Sequence, residues 1–133
     1  MLQKLVNQTV RASKYSYDGC HYLLRSEFAA RLEVYAYFWM MVILILLRTS
    51  WVNLGIMTIL FLLMIAFEAL NTAIEVIIDR VSPEISPAGK RAKDLGSFAV
   101  FCMIVVNGLF FFGVIITSAP AQKLIGYIAS LFN

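Results

Sequence analysis

The chain has 133 residues, 61% of them hydrophobic and 14% charged, with a net charge of +3. That is too apolar for a soluble domain of this size, whose apolar share is nearer half, so one small membrane domain is expected. The modest charge argues against a nucleic-acid surface. Two cysteines (Cys20, Cys102) without a CxxC pair and a single histidine (His21) argue against a disulfide framework, a zinc site or a multi-histidine metal site.

Residues 1–28 read as an amphipathic surface helix. Leu2, Leu5, Val6, Thr9, Val10, Ser13 and Tyr17 share one face, while Lys4, Arg11, Lys14 and Asp18 point elsewhere. Such a helix beside a hydrophobic domain most simply lies in the membrane interface, with packing on a partner subunit as the alternative. Lys4 is followed by no apolar run of secretory type, so no cleaved signal is expected. Glu27 and Arg31 are spaced as a helical i,i+4 pair. The first span is placed at 29–48. Its uncharged core, Val34 to Leu47, has only 14 residues, short of the ~20 needed to cross. The helix must therefore start near Ala29, with Arg31 and Glu33 inside the protein or snorkelling.

Arg48 to Asn53 reads as a turn. The second helix is placed at 51–80, apolar to about Leu70 and continuing to Arg80. Tyr35, Tyr37, Trp39 and Trp51 near the span ends fit aromatic belts. Ser86 followed by Pro87 suits an N-cap and first helical position, so the third helix is placed at 87–118. Leu95 to Gln122 is a run of 28 residues without a charge, ending near Pro120. In the tail, 119–133, Leu124, Ile125, Ile128, Leu131 and Phe132 share a face that suits a second interfacial helix. Lysine and arginine cluster before the first span (Lys4, Arg11, Lys14, Arg25, Arg31) and between the second and third (Arg80, Lys90, Arg91, Lys93), against Arg48 and Lys123 alone on the other side. The positive-inside rule then puts the N-terminus and the 80–95 loop in the cytoplasm and the C-terminus outside.

The chemistry concentrates in the second helix. After 19 uncharged residues, Thr49 to Phe67, come Glu68, Asn71, Glu75 and Asp79. At ~100° per residue they fall within a stripe roughly 80° wide. Ionisable groups at the end of an apolar span are costly and mark a functional site by default. Glu68 and Glu75 lie about 10.5 Å apart along the axis, too far to share one magnesium ion. Glu75, nearer the cytoplasm, suits a metal ligand, with Glu27 or Asp79 as the second carboxylate. Glu68, partly withdrawn from water, suits a general base on a group held at the lipid interface. Lys90, Arg91 and Lys93, ahead of a capped helix start, suit polyphosphate. Together these are the parts of phosphoryl transfer, although neither GxxxxGK[ST] nor GxGxxG is present. On physics alone two other readings stand beside it: a solvated helix end carrying salt bridges, and proton or ion transport.

Glu68-x-x-Asn71-x-Ala73-Ile74-Glu75-x-x-x-Asp79-Arg80, then Pro83-Glu84 and Ala92-Lys93-Asp94-Leu95-Gly96-Ser97, resembles the signature of the bacterial diacylglycerol kinase family. The Ala30-Arg31-x-Glu33 run, with Glu27 upstream, resembles it too, and the likeness covers roughly residues 5–118. The resemblance implies an all-α membrane protein, a homotrimer of three-span subunits each with an N-terminal surface helix. It implies multi-pass insertion in the bacterial inner membrane, with a periplasmic C-terminus. Its implied activity is magnesium-dependent transfer of the γ-phosphoryl of ATP to diacylglycerol, giving phosphatidic acid, at sites shared between subunits. By position, Glu68 resembles the catalytic base, and Glu27 and Glu75 the metal ligands. Tyr15, Glu27, Glu75, Glu84, Ser86, Lys93 and Asp94 fall where the family contacts nucleotide, and Arg31, Glu33, Asn71 and Ser97 where it shapes the lipid site. The sequence departs from the family at Gln8, where a basic residue is usual, at Ile85 and Ser86, and in a longer tail after Ser118. A related branch that phosphorylates undecaprenol is the nearest rival, and a non-enzymatic membrane subunit a more distant one.

Overall fold

The computed structural model describes residues 1–81 and 86–130 and, among them, holds five helices and no strand. They are α1 (Leu2–Ser26), α2 (Phe28–Leu46), α3 (Trp51–Val81), α4 (Pro87–Thr117) and α5 (Ala119–Ser130). The second, third and fourth are long and apolar enough to cross a membrane. Nearly all of α1 is exposed, only Leu23 being buried, as suits a helix laid along a surface.

Local chemistry sets the breaks. Glu27 takes an extended conformation (φ −96°, ψ 121°) that ends α1 and caps α2, and its N–H donates to the Leu23 carbonyl at 2.9 Å. Glu27 and Arg31 therefore do not share one continuous helix, and the expected ion pair between them does not form. Instead Arg31 Nη1 donates to the carbonyls of Leu24 and Arg25, both at 3.1 Å, tying the end of α1 to α2. The turn between α2 and α3 is shorter than expected, residues 47–50. Arg48 adopts a left-handed conformation (φ 54°), which closes it in few residues. Ser86 caps α4 as its sequence suggests, its hydroxyl accepting from the Gly89 N–H at 3.0 Å with Pro87 in the first turn.

The α4 helix stops at Thr117, one residue before the placed end at 118 and ahead of Pro120. Ser118 is extended (ψ 147°) and α5 starts at Ala119, so Pro120 sits in a first turn, where its missing N–H costs nothing. Leu131 and Phe132 of the expected tail face lie outside the described residues. Tyr37 is not a belt residue. It is half-buried between α2 and α3, stacked on Phe61 at 4.0 Å, with its hydroxyl 2.9 Å from that of Thr58. Trp39 falls mid-way along α2, whereas Trp51 opens α3 and is exposed.

The packing is thin. One cluster, Leu44, Met57, Phe111 and Val114, joins α2, α3 and α4 near the α2–α3 turn. It lies roughly 16 Å along α3 from Glu68, taking Met57 as its mark. The buried face of α3 runs Met57, Met64, Glu68, Thr72, at helical spacing, so the apolar contact face passes directly into the acidic stripe. On α4 the matching face is Gly89, Val100, Asn107, Phe111 and Val114. Asn107, 3% exposed, bridges the pair by donating to the Leu60 carbonyl of α3 at 3.3 Å and to Met103 at 2.8 Å. At the stripe the helices pack tightly. A Cβ on Gly96 would overlap the Asn71 side chain, and one on Gly89 would lie 3.1 Å from Ile78 Cγ2. Gly96 therefore lets α4 approach the residues that carry the chemistry.

Gly96→Val is expected to force α3 and α4 apart. It should destabilise the protein by about 1–3 kcal/mol, as overpacking does. Gly108→Ala, where an added Cβ meets nothing within 4 Å, should stay within about 0.5 kcal/mol of the parent. Equilibrium unfolding in mixed detergent micelles checks both.

Candidate active site

The α1–α2 junction, the lower half of α3 and the start of α4 enclose a cleft of about 410 Å³. Its polar lining is Glu27, Glu33, Glu68, Asn71, Glu75 and Ser97. Each arrives by a local cause. The break at Glu27 puts a carboxylate at the start of α2, and that side chain makes no capping hydrogen bond. The six-residue step to Glu33 brings a second carboxylate to the buried side of α2. Glu68, Asn71 and Glu75 follow the 3,4 spacing of a single α3 face. Ser97 follows Gly96, where α4 packs tightly on Asn71.

Glu68 is 4% exposed and Glu33 7% exposed. Asn71 Nδ2 donates to Glu75 Oε1 at 3.0 Å and so fixes that carboxylate, while Asn71 Oδ1 is buried without a hydrogen-bond partner. Glu33 Oε2 is likewise buried and without a partner. Among the described residues four carboxylates thus share one cleft, and no basic side chain lines it. The nearby cations are engaged elsewhere. Arg31 is bound to the end of α1, its guanidinium 5.8 Å from the Phe28 ring centre. Lys93 pairs with Asp79, and Lys90 with Asp94 at 3.5 Å, at the exposed ends of α3 and α4. Arg91 Nε donates to the Pro87 carbonyl at 3.2 Å.

Among the sequence expectations, Asp79 is therefore held by Lys93 outside the cleft. Glu27 lines the cleft with Glu75, as does Glu33, the other carboxylate from α2 and its cap. Tyr15, 71% exposed on α1, does not line the cleft within one chain, and neither do Arg31, Ser86, Lys93 or Asp94. Glu84 lies outside the described residues. The other side of the cleft was not anticipated. Val100, Phe101 and Ile104 of α4, with Ala29 of α2, form an apolar wall facing the carboxylates. Ser97, Val100, Phe101 and Ile104 recur at helical spacing, but within an uninterrupted apolar span that pattern has no contrast to reveal it.

The donor set suits a hard divalent cation that arrives with its own ligands. Carboxylate oxygens are hard donors, but among the described residues no group of three or more acidic, histidine or cysteine side chains is arranged to hold a metal alone. Magnesium characteristically takes one or two protein carboxylates and completes its shell with water and phosphate oxygens.

The sequence that forms α2, α3 and α4 has known counterparts. Residues 14–116 match the family model for prokaryotic diacylglycerol kinase. A diacylglycerol kinase from Sinorhizobium sp is 52% identical over 99 residues, covering 74% of this chain and 72% of that protein. Those of Haemophilus influenzae and Escherichia coli K12 are 31% and 33% identical, covering 86% and 73% of this chain and 93% and 80% of their own lengths. The motif across α3 and α4, the three membrane-spanning helices and these matches lead to one conclusion: the chain belongs to the prokaryotic diacylglycerol kinase family of membrane lipid kinases.

Proposed function

We propose that the protein transfers the γ-phosphoryl of ATP to the free hydroxyl of diacylglycerol, giving phosphatidic acid, with magnesium as the required ion. The observation that carries this reading is the cleft itself. It combines a nearly buried Glu68 between carboxylates that no cation neutralises with an apolar wall against which a lipid can lie. Family membership supplies the lipid class.

In the reaction the lipid hydroxyl donates its proton to the Glu68 carboxylate as its oxygen bonds to the γ-phosphorus. The bond from that phosphorus to the bridging oxygen breaks, and ADP leaves with the electron pair. Glu33, which lines the cleft with one buried oxygen lacking a partner, belongs to the polar wall that shapes the lipid site. Val100, Phe101 and Ile104 take the apolar part of the lipid next to the glycerol and keep water from the hydroxyl. Glu27 and Glu75 are the residues that would hold magnesium, Asn71 fixing Glu75. When bound, the ion neutralises charge building on the phosphates.

Of the nucleotide contacts assigned by resemblance, Tyr15, Ser86, Lys93 and Asp94 lie beyond this cleft. That favours a site completed by a second copy in a homotrimer. The basic residues at both ends of the 80–95 region and ahead of α2 support an orientation with this end of the bundle on the cytoplasmic side of the inner membrane, where ATP is found, and α5 on the periplasmic side.

In mixed micelles with diacylglycerol, magnesium and γ-labelled ATP, label should appear in phosphatidic acid. Glu68→Gln should lower kcat by roughly 10²–10⁴-fold, the usual contribution of a positioned base. Label transfer that survives Glu68→Gln unchanged would remove Glu68 from the chemistry. Transfer to undecaprenol but not diacylglycerol would change the substrate.

The two carboxylate roles separate by metal dependence. Asn71→Leu, which releases Glu75, should raise the magnesium needed for half-maximal rate by roughly 10–100-fold, and Glu75→Gln by at least as much. Glu68→Gln should leave that requirement nearly unchanged. Equal shifts in the Glu68 and Glu75 variants would contradict the division of labour.

A further inference from the structure

The family match ends at residue 116, one residue short of the end of α4, so α5 is a feature of this chain outside the matched region. Its sequence separates into two faces. At 100° per residue, Leu124, Ile125 and Ile128 fall within about 100° of one another, and Gln122, Lys123, Gly126 and Ser130 occupy the opposite side. All three apolar side chains are exposed, so nothing among the described residues covers them. The helix is nevertheless tied to the end of α4. Gln122 Nε2 donates to the Ile116 carbonyl at 2.7 Å, and the Gln122 N–H to the Ser118 carbonyl at 3.0 Å.

We infer that α5 is a lipid-binding helix lying in the membrane surface at the end of α4 remote from the carboxylate cleft, its Leu124–Ile125–Ile128 face in the acyl region. Continuity carries the choice of occupant. The α4 helix is a membrane span, one residue separates it from α5, and the Gln122 bond holds the first turn of α5 against the last carbonyls of that span. The extended Ser118 gives the chain its change of direction. An apolar face held at that depth meets lipid first, and Lys123 on the opposite face can reach headgroup phosphates. With α5 in the surface, the end of α4 is fixed in depth, and α4 carries the apolar wall of the cleft near its middle. The inference needs only that α4 spans the membrane and is independent of the reaction proposed above.

The test uses the full chain in phosphatidylcholine–phosphatidylglycerol vesicles, with Cys20 and Cys102, both exposed, replaced by serine. An environment-sensitive fluorophore is placed on Lys123→Cys, Ile125→Cys or Ile128→Cys in turn. Labels at 125 and 128 should emit to the blue of the label at 123. Lipids spin-labelled near the glycerol should quench them several-fold more strongly, while aqueous iodide should quench mainly the label at 123. Equal iodide quenching at all three positions would place α5 in water and overturn the inference. Protection of 125 and 128 from both quenchers would also overturn it, by showing a protein partner, such as a second copy, on that face. An unchanged helical circular-dichroism spectrum in each variant confirms that the protein remains folded.

Discussion

Four carboxylates brought to the edge of an apolar bundle, with no cation among the side chains that line their cleft, are the constraint on which the rest depends. Withdrawing a carboxylate from water costs several kcal/mol, and like charges in one cleft raise that cost. A packed bundle tolerates the arrangement where a proton or an incoming cation neutralises it. Among the described residues Arg31, Lys90 and Lys93 are each engaged outside the cleft. The opening therefore suits a cation that comes with phosphate, which supports the proposed phosphoryl transfer.

The helices are arranged to hold this cluster in place. Gly96 lets α4 approach Asn71, and Asn71 in turn fixes Glu75. The Arg31 guanidinium holds α1 against α2, so Glu27 sits at a defined break between them. At the other end, Leu44, Met57, Phe111 and Val114 pack the three spans together. Stability and chemistry are thus separated along the bundle axis. The large exposed apolar faces of α2, α3 and α4 are those expected where lipid or further copies of the chain replace water.

Much of this was legible because polar residues inside apolar spans stand out. The 3,4 spacing from Glu68 to Glu75 defines its face without any structure, and Ser86-Pro87 announces the start of α4. What escaped the sequence had less contrast or depended on tertiary contacts. The apolar wall on α4 is hidden among residues of the same kind. Tyr37 resembles an interface aromatic by composition, but its role is decided by Phe61 and Thr58 on another helix. Arg31 has the spacing of a salt bridge to Glu27, yet the break at Glu27 removes the shared helix that spacing assumes. Asp79 is on the stripe, but the approach of α4 places Lys93 beside it and takes it out of the cleft.

The most direct measurement is binding of manganese, a paramagnetic stand-in for magnesium, followed by electron paramagnetic resonance with and without a non-hydrolysable ATP analogue. If the cluster accepts its cation together with phosphate, tight binding should require the nucleotide and be lost in Glu75→Gln and Glu27→Gln. Equally tight binding without nucleotide would contradict that account, as would binding that both substitutions leave unchanged.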